Sequence, residues 1–404
     1  MIGARFAVLV VVAAACGAPA YPPVAPPGPP GPAVDYAVLA ERIVGDSAAV
    51  REGELVQVQG TPADRPLMDA LAIAVRRRGA FPLLTLTSEE LSRQLYAQVP
   101  ERYDGQAPLL DLALAEIVSV IIDLVPESDE VYAGVPPERI ARAFEARQGL
   151  HARQRARGVR QVSVGNEVYP SQARATHYAV PYATLARNYV RGIAVDAATI
   201  AGRGAWLREK LAGARRVEVT NPNGTHVTMS LVGRKVLLND GILTPAKLAA
   251  RGAEVEVWLP AGELFAAPVP TSVEGTIVVD RMLFQDTQIE GLRVELAGGK
   301  VARITARTGL AAIQRFYDAA GAGKEWFSAL DLGINPNVEI VPGAWLNASV
   351  AAGMITMGIG GNAWAGGDND LSFGILLYVP GSTLLVDGEP MIVAGQLALP
   401  AGVR

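Results

Sequence analysis

The chain holds few of the side chains that enzymes use for nucleophilic or metal chemistry. Of its 404 residues three are histidines, His151, His177 and His226, and one is a cysteine, Cys16. No Gly-x-Ser-x-Gly elbow, His-Glu-x-x-His helix or Cys-x-x-Cys pair occurs in the sequence. What remains is carboxylate chemistry, and it falls in three short islands of the second half. The first is Leu259-Pro260-Ala261-Gly262-Glu263-Leu264-Phe265, followed by Glu274-Gly275-Thr276. The second is Asp331-Leu332-Gly333-Ile334-Asn335-Pro336-Asn337. The third runs from Gly353-Met354-Ile355-Thr356-Met357-Gly358 to Gly366-Gly367-Asp368-Asn369-Asp370.

These islands need elements to carry them. Half the residues are apolar and 19% are charged, the composition of a globular protein, and the length suits two domains. A net charge of -4 gives no basic surplus for nucleic acid, so no nucleic-acid partner is expected. From Asp35 the pattern alternates between apolar runs and helical periodicity. Strands are expected at 54–60, 81–87, 118–125 and 160–165, with helices at 64–78, 136–157 and over most of 182–214. This is an α/β first domain, doubly wound around a mainly parallel sheet, over residues 35–210. No glycine-rich turn follows its first strand and no P-loop occurs, so a nucleotide site is not supported. Beyond a hairpin signal at Asn221-Pro222-Asn223-Gly224 the strands become short, at 255–259, 275–279, 292–296 and 300–305, with one helix at 309–322. Residues 211–404 are therefore expected to form a mainly β, α+β second domain.

The N-terminus reads as an export signal. Arg5 precedes an apolar run from Phe6 to Ala15, about half of what spans a bilayer, and small residues lead into Cys16. Residues 1–16 resemble a bacterial lipobox, with Ala13 where a leucine is usual, and imply lipidation of Cys16. An ordinary signal cut near Ala15 or Ala18 is the alternative. Residues 17–34, rich in Pro and Gly, form a semi-rigid tether. The expected location is the cell envelope, with the chain held to a membrane by its N-terminal lipid.

Taken in order, the three islands resemble the aminopeptidase T family of metallopeptidases. The likeness extends to Gly224-Thr225-His226-Val227-Thr228 and Gly53-Glu54-Leu55-Val56, and runs from about Asp35 to Val393. It implies an α/β domain followed by a metal-bearing domain, a homodimer, and two divalent ions (zinc, cobalt or manganese) if the protein is active. Glu263 stands at a metal-binding glutamate and Asp331 at a second one, shortened by a methylene. Thr356 and Gly374 stand where the family has histidines, and Leu376 where it has an aspartate. Threonine and glycine do not replace imidazole as ligands for zinc or cobalt. Asp368 and Asp370 are possible substitutes in an all-oxygen site suited to calcium, magnesium or manganese. The Gly-Gly-Asp-Asn-Asp run also reads as a solvated turn, which is the preferred reading. The resemblance implies a peptide- or partner-binding homologue without ordinary metallopeptidase activity and with no cofactor. A working aminopeptidase is the alternative. The arginines 147, 153, 155, 157 and 160 read as a solvated helix face. Trp326, Trp345 and Trp364 read as core packing, and His226 as a strand surface residue.

Overall fold

A computed structural model describes residues 35–124, 132, 134–341 and 344–403. Cys16, the lipobox and the Pro/Gly-rich tether lie outside the described residues.

The first half builds a five-stranded parallel sheet in the order 81–86, 55–60, 120–123, 160–164, 256–259. Its central strands alternate fully buried residues such as Val56, Val58, Val120, Ile122 and Val162 with half-buried ones. This is the doubly wound α/β arrangement expected from the sequence. The fifth strand is Glu256–Leu259, which the sequence reading grouped with the short strands of the second half. It pairs parallel with Arg160–Val164 and buries Val257 and Leu259 in the first core. The chain therefore returns to the parallel sheet after the hairpin signal at 221–224.

The expected helix over 182–214 is two helices, Tyr182–Ile193 and Ala197–Leu211. Asp196 sits between them in extended backbone and accepts a hydrogen bond from the Thr199 N–H, as an N-cap residue does. The expected strands 275–279 and 292–296 are parts, away from the shared turn, of two eleven-residue strands, Glu274–Phe284 and Thr287–Ala297. Their turn holds Gln285 at φ 52° and lacks an Asn-Gly or Gly-Gly pair, so the sequence carries no signal for so long a hairpin.

Two antiparallel sheets complete the fold. One has eight strands, in the order 300–305, 287–297, 274–284, 226–229, 217–220, 383–386, 389–393, 396–397. The other has five, in the order 374–378, 355–360, 327–333, 263–266, 237–239. Leu264, Leu332, Ile355, Met357 and Leu377 from the five-stranded sheet share one core with Val219, Ile277, Leu292 and Leu384 of the eight-stranded sheet. Two inner faces packed in this way leave the opposite face of the five-stranded sheet to carry the site. Among the described residues no helix is long and apolar enough to cross a membrane.

Candidate functional site

Strand register gathers every position implied by the resemblance onto that opposite face. Glu263 lies across from Gly333 and Asn239, and Asp331 across from Phe265 and Thr356. Thr356 lies across from Tyr378, Gly358 from Leu376, and Gly360 from Gly374. Facing residues of antiparallel strands point the same way, and residues two apart share a face. Glu263, Asp331, Thr356, Gly374, Leu376 and Tyr378 therefore line one side of the sheet.

Glu263 is 5% exposed and its carboxylate is taken up by protein donors. Asn166 and Asn239 donate side-chain N–H groups to Oε2 at 3.0 and 3.2 Å, and the Ser349 hydroxyl donates to Oε1 at 2.5 Å. Gly333, directly opposite, is what lets the 349 segment lie over the acid: a Cβ there would stand 2.2 Å from the Ser349 carbonyl oxygen. Burial pushes the Glu263 carboxyl up to about 7; the nearby charge of Glu167 adds to the rise, and the three donors oppose it.

Asp331 is buried without that support. Its Oδ1 has no hydrogen-bond partner, and neither has the buried Oγ1 of Thr356 on the adjacent strand. Burial, then the charges of Glu263 and Glu167, hold the Asp331 carboxyl well above its ordinary range. An unpaired charge at such depth costs far more than a neutral carboxyl, so protonation is the physical response.

Glu167 was not found from the sequence. It follows the strand 160–164 at the carboxyl edge of the parallel sheet, where open α/β folds place their sites. Asn166 and Glu167 both have positive φ, 33° and 65°, a conformation uncommon outside glycine. The turn aims Asn166 at Glu263, while Glu167 accepts hydrogen bonds from the Ser349 N–H at 2.7 Å and from the Tyr378 hydroxyl. Burial raises the Glu167 carboxyl as well. Ser349 thus bridges Glu167 and Glu263, tying the two halves of the fold together.

Leu376, the apolar residue at the position where the resemblance implies an aspartate, is 39% exposed. Its strand is an edge strand, and Gly374 and Leu376 are exposed on it. Asp368 is exposed, and Asp370 is ion-paired with Arg155. Asn369 holds the turn by donating to the Gly323 and Gly360 carbonyls, both at 2.9 Å. Neither acid joins Glu263 and Asp331. Among the described residues no three His, Cys, Asp or Glu side chains stand close enough to hold a metal ion. Glu167, Glu263 and Asp331 affect one another's ionisation because charge acts over longer distances than ligation does.

The family's two-metal centre was tested against this donor set, and the two do not fit. The carboxylate that would bind a cation is already saturated by Asn166, Asn239 and Ser349, no imidazole is present, and the outer ligand positions are a glycine and an exposed leucine. Other expectations fare variously. His226 is exposed and bonds Glu218 at 2.8 Å. Trp326 and Trp345 are half-buried under Lys300 and Arg281, and Trp364 packs on Phe265 at 5.2 Å between ring centres. The arginine run is a solvated face only in part: Arg147, Arg153 and Arg157 are exposed, Arg147, Arg153 and Arg155 each meet an acid, and Arg160 is buried on Glu54.

The fold is that of two solved structures. Aminopeptidase T (AmpT) from Thermus thermophilus matches at TM-score 0.66 and 18% identity, covering 90% of this chain and 99% of that one. A 2,5-dihydroxypyridine dioxygenase from Pseudomonas putida matches at TM-score 0.56 and 13% identity, covering 92% of this chain and all of the other. At such identities the likeness establishes the architecture, and two different activities on one architecture show that the fold does not choose the chemistry. No curated protein sequence matches the chain. The model of the thermophilic metalloprotease family (M29) matches residues 35–324, and the chain belongs to that family. The match includes Glu263 and stops short of Asp331, Thr356, Gly374 and Leu376.

Proposed function

We propose that this member of the family is a peptide- or partner-binding protein of the cell envelope that does not carry out two-metal peptide hydrolysis. The observation that supports it most is the state of Glu263. In a two-metal hydrolase such a carboxylate binds cations that activate water and polarise the scissile carbonyl. Here two amides and a hydroxyl occupy it, and Thr356 supplies no imidazole beside Asp331. The face that carries these residues is open at Leu376 and Gly374, and the half-buried rings of Trp258 and Trp364 lie against Phe265 on the same side. An open end beside aromatic walls suits an apolar peptide segment. Envelope anchoring rests on the Cys16 lipobox, and a homodimer on the family resemblance. Peptide binding by the purified chain, together with an aminopeptidase assay with and without added manganese and cobalt, tests the reading. Binding without release of N-terminal residues supports it, and metal-dependent release overturns it.

One observation favours a working metal-dependent aminopeptidase: the buried, partnerless Oδ1 of Asp331 and Oγ1 of Thr356 are adjacent oxygens that a cation would satisfy. Activity abolished by Glu263→Ala is the outcome that this second reading requires.

A further inference from the structure

The stretch from Phe81 to Leu114 contains no buried residue, although it forms a strand and two α-helices. Its second part runs beside the long helix Pro137–Arg157 and is fastened to it by charge. Arg139 grips Asp104 with two hydrogen bonds, at 2.7 and 2.9 Å, and donates to the Tyr96 and Val99 carbonyls. Arg142 meets Glu101 at 3.1 Å, Arg147 meets Asp111 at 3.0 Å and Arg153 meets Glu116 at 2.9 Å. Arg157 closes the ladder by donating to the Val118 carbonyl at 3.1 Å. From Asp104 to Val118 the partners follow the helix in order, Arg139, Arg147, Arg153 and Arg157, with Glu101 on Arg142 out of step, so the two run side by side over most of the helix, roughly 30 Å at the usual rise per residue.

Glu101, Asp104, Asp111 and Glu116 are thus spent on arginines of the protein itself, while several apolar side chains of the same stretch are left exposed. Leu109 and Leu110 are 76% and 72% exposed, the highest values among the large apolar side chains of the described residues, and Leu95, Tyr103 and Ile117 continue the ridge. Isolated exposed leucines are ordinary, but a ridge of them along one stretch of chain marks a surface that something covers.

We propose that this ridge docks on a phospholipid bilayer, the one that holds the lipid on Cys16. The inference rests on the envelope reading, and two features of the chain select a bilayer as occupant. Residues 17–34 separate Cys16 from the body by a stretch of chain long enough for a face of the body to meet the anchoring membrane. Asp104, Glu101, Asp111 and Glu116 are each paired with an arginine of the ladder, which lowers the repulsion that an anionic surface would meet. Arg102, stacked 4.7 Å from the Tyr103 ring, sets a cation beside an aromatic, the pair that favours the headgroup level. A lipid chain and an apolar interfacial face reinforce each other, since a single chain holds a protein only marginally.

The test uses the full chain, whose only native thiol is Cys16. Leu110→Cys then supplies the sole free thiol of an acylated chain and takes the environment-sensitive dye NBD. Ala302→Cys, exposed on a strand of the eight-stranded sheet, is the control. With vesicles of phosphatidylcholine and phosphatidylglycerol, emission at position 110 is expected to shift to the blue and brighten, while position 302 stays unchanged. Lipids carrying a depth quencher should then dim position 110. Membrane-held protein with no change at 110 overturns the docking. A blue shift in the absence of lipid, growing with protein concentration alongside a dimer mass, also overturns it and assigns the ridge to a second copy. Mass spectrometry of residue 16 is read separately. An unmodified Cys16 contradicts the anchor and would itself take the dye, so the shift is then read in Cys16→Ser/Leu110→Cys, where a lipid-dependent shift upholds the docking and its absence overturns it.

Discussion

Replacing Glu263 by glutamine changes how stability depends on pH, in a direction the buried cluster fixes. The Glu263 carboxyl ionises near its ordinary value of 4.5 in the unfolded chain and at about 7 in the folded one. Between those values the folded state holds a proton that the unfolded state has lost. Its stabilising contribution is therefore complete below about pH 4.5, falls as pH rises through about 7, and is constant above that. The difference between the two values amounts to about 3 kcal/mol, at 1.36 kcal/mol per pH unit. Asp331 and Glu167, also raised, act with the same sign. His151, whose pKa is lowered by burial and by Arg155 and Arg147, acts with the opposite sign below pH 6.5. The informative quantity is thus the difference between wild type and Glu263→Gln. Glutamine can keep all three contacts by turning its oxygen to Asn166 and Asn239 and its amide to the Ser349 hydroxyl, which accepts as well as donates. Urea unfolding followed by circular dichroism from pH 4.5 to 8 should show wild type losing about 3 kcal/mol more than the variant. Parallel stability curves, or a wild type that gains stability relative to the variant as pH rises, would refute a buried protonated acid at 263.

Three further outcomes follow from the same contacts. Ser349→Ala removes the bridge between Glu167 and Glu263 and should cost about 1–3 kcal/mol in denaturant unfolding, the usual penalty for a buried acceptor left short of a donor. Thr356→Val replaces a buried hydroxyl that has no partner with an isosteric methyl, so its melting temperature should be unchanged or higher; a clear fall would mean that Oγ1 is engaged. Cys16→Ser should move the protein from the membrane fraction to the soluble one or leave an unprocessed precursor, and normal processing with unchanged retention would contradict the anchor.

The parallel sheet was legible because its strands are short apolar runs closed by Gly or by helix caps. Val56, Val58, Val120, Ile122 and Val162 look like core in the sequence and are core in the fold. Its fifth strand was not, since Glu256–Leu259 reads like any other half-buried strand, and only tertiary pairing with Arg160–Val164 decides its sheet. Glu263 and Asp331 could be placed because family-like words surround them. Their partners could not. Asn166, Asn239 and Ser349 come from three separate parts of the chain, and an amide or hydroxyl in a loop carries no pattern of its own. The turn Gly165-Asn166-Glu167 at the carboxyl end of a parallel strand was the one available signal for the site's third acid. The arginine run was legible only in part for a related reason: spacing shows that arginines share a helix, but not that acids 36 and 37 residues away wait opposite Arg147 and Arg153.

The central claim is that donors of the protein itself stand where the family's cations would, and metal content tests it most directly. The full chain would be purified without chelator, exposed to excess zinc, cobalt or manganese, freed of unbound ions and subjected to elemental analysis. With Glu263 saturated by Asn166, Asn239 and Ser349 and no histidine at 356 or 374, the expected content is far below one ion per chain for each metal. A content of about two ions per chain, as in two-metal hydrolases, removed by a chelator and lost in Glu263→Ala, would contradict the account.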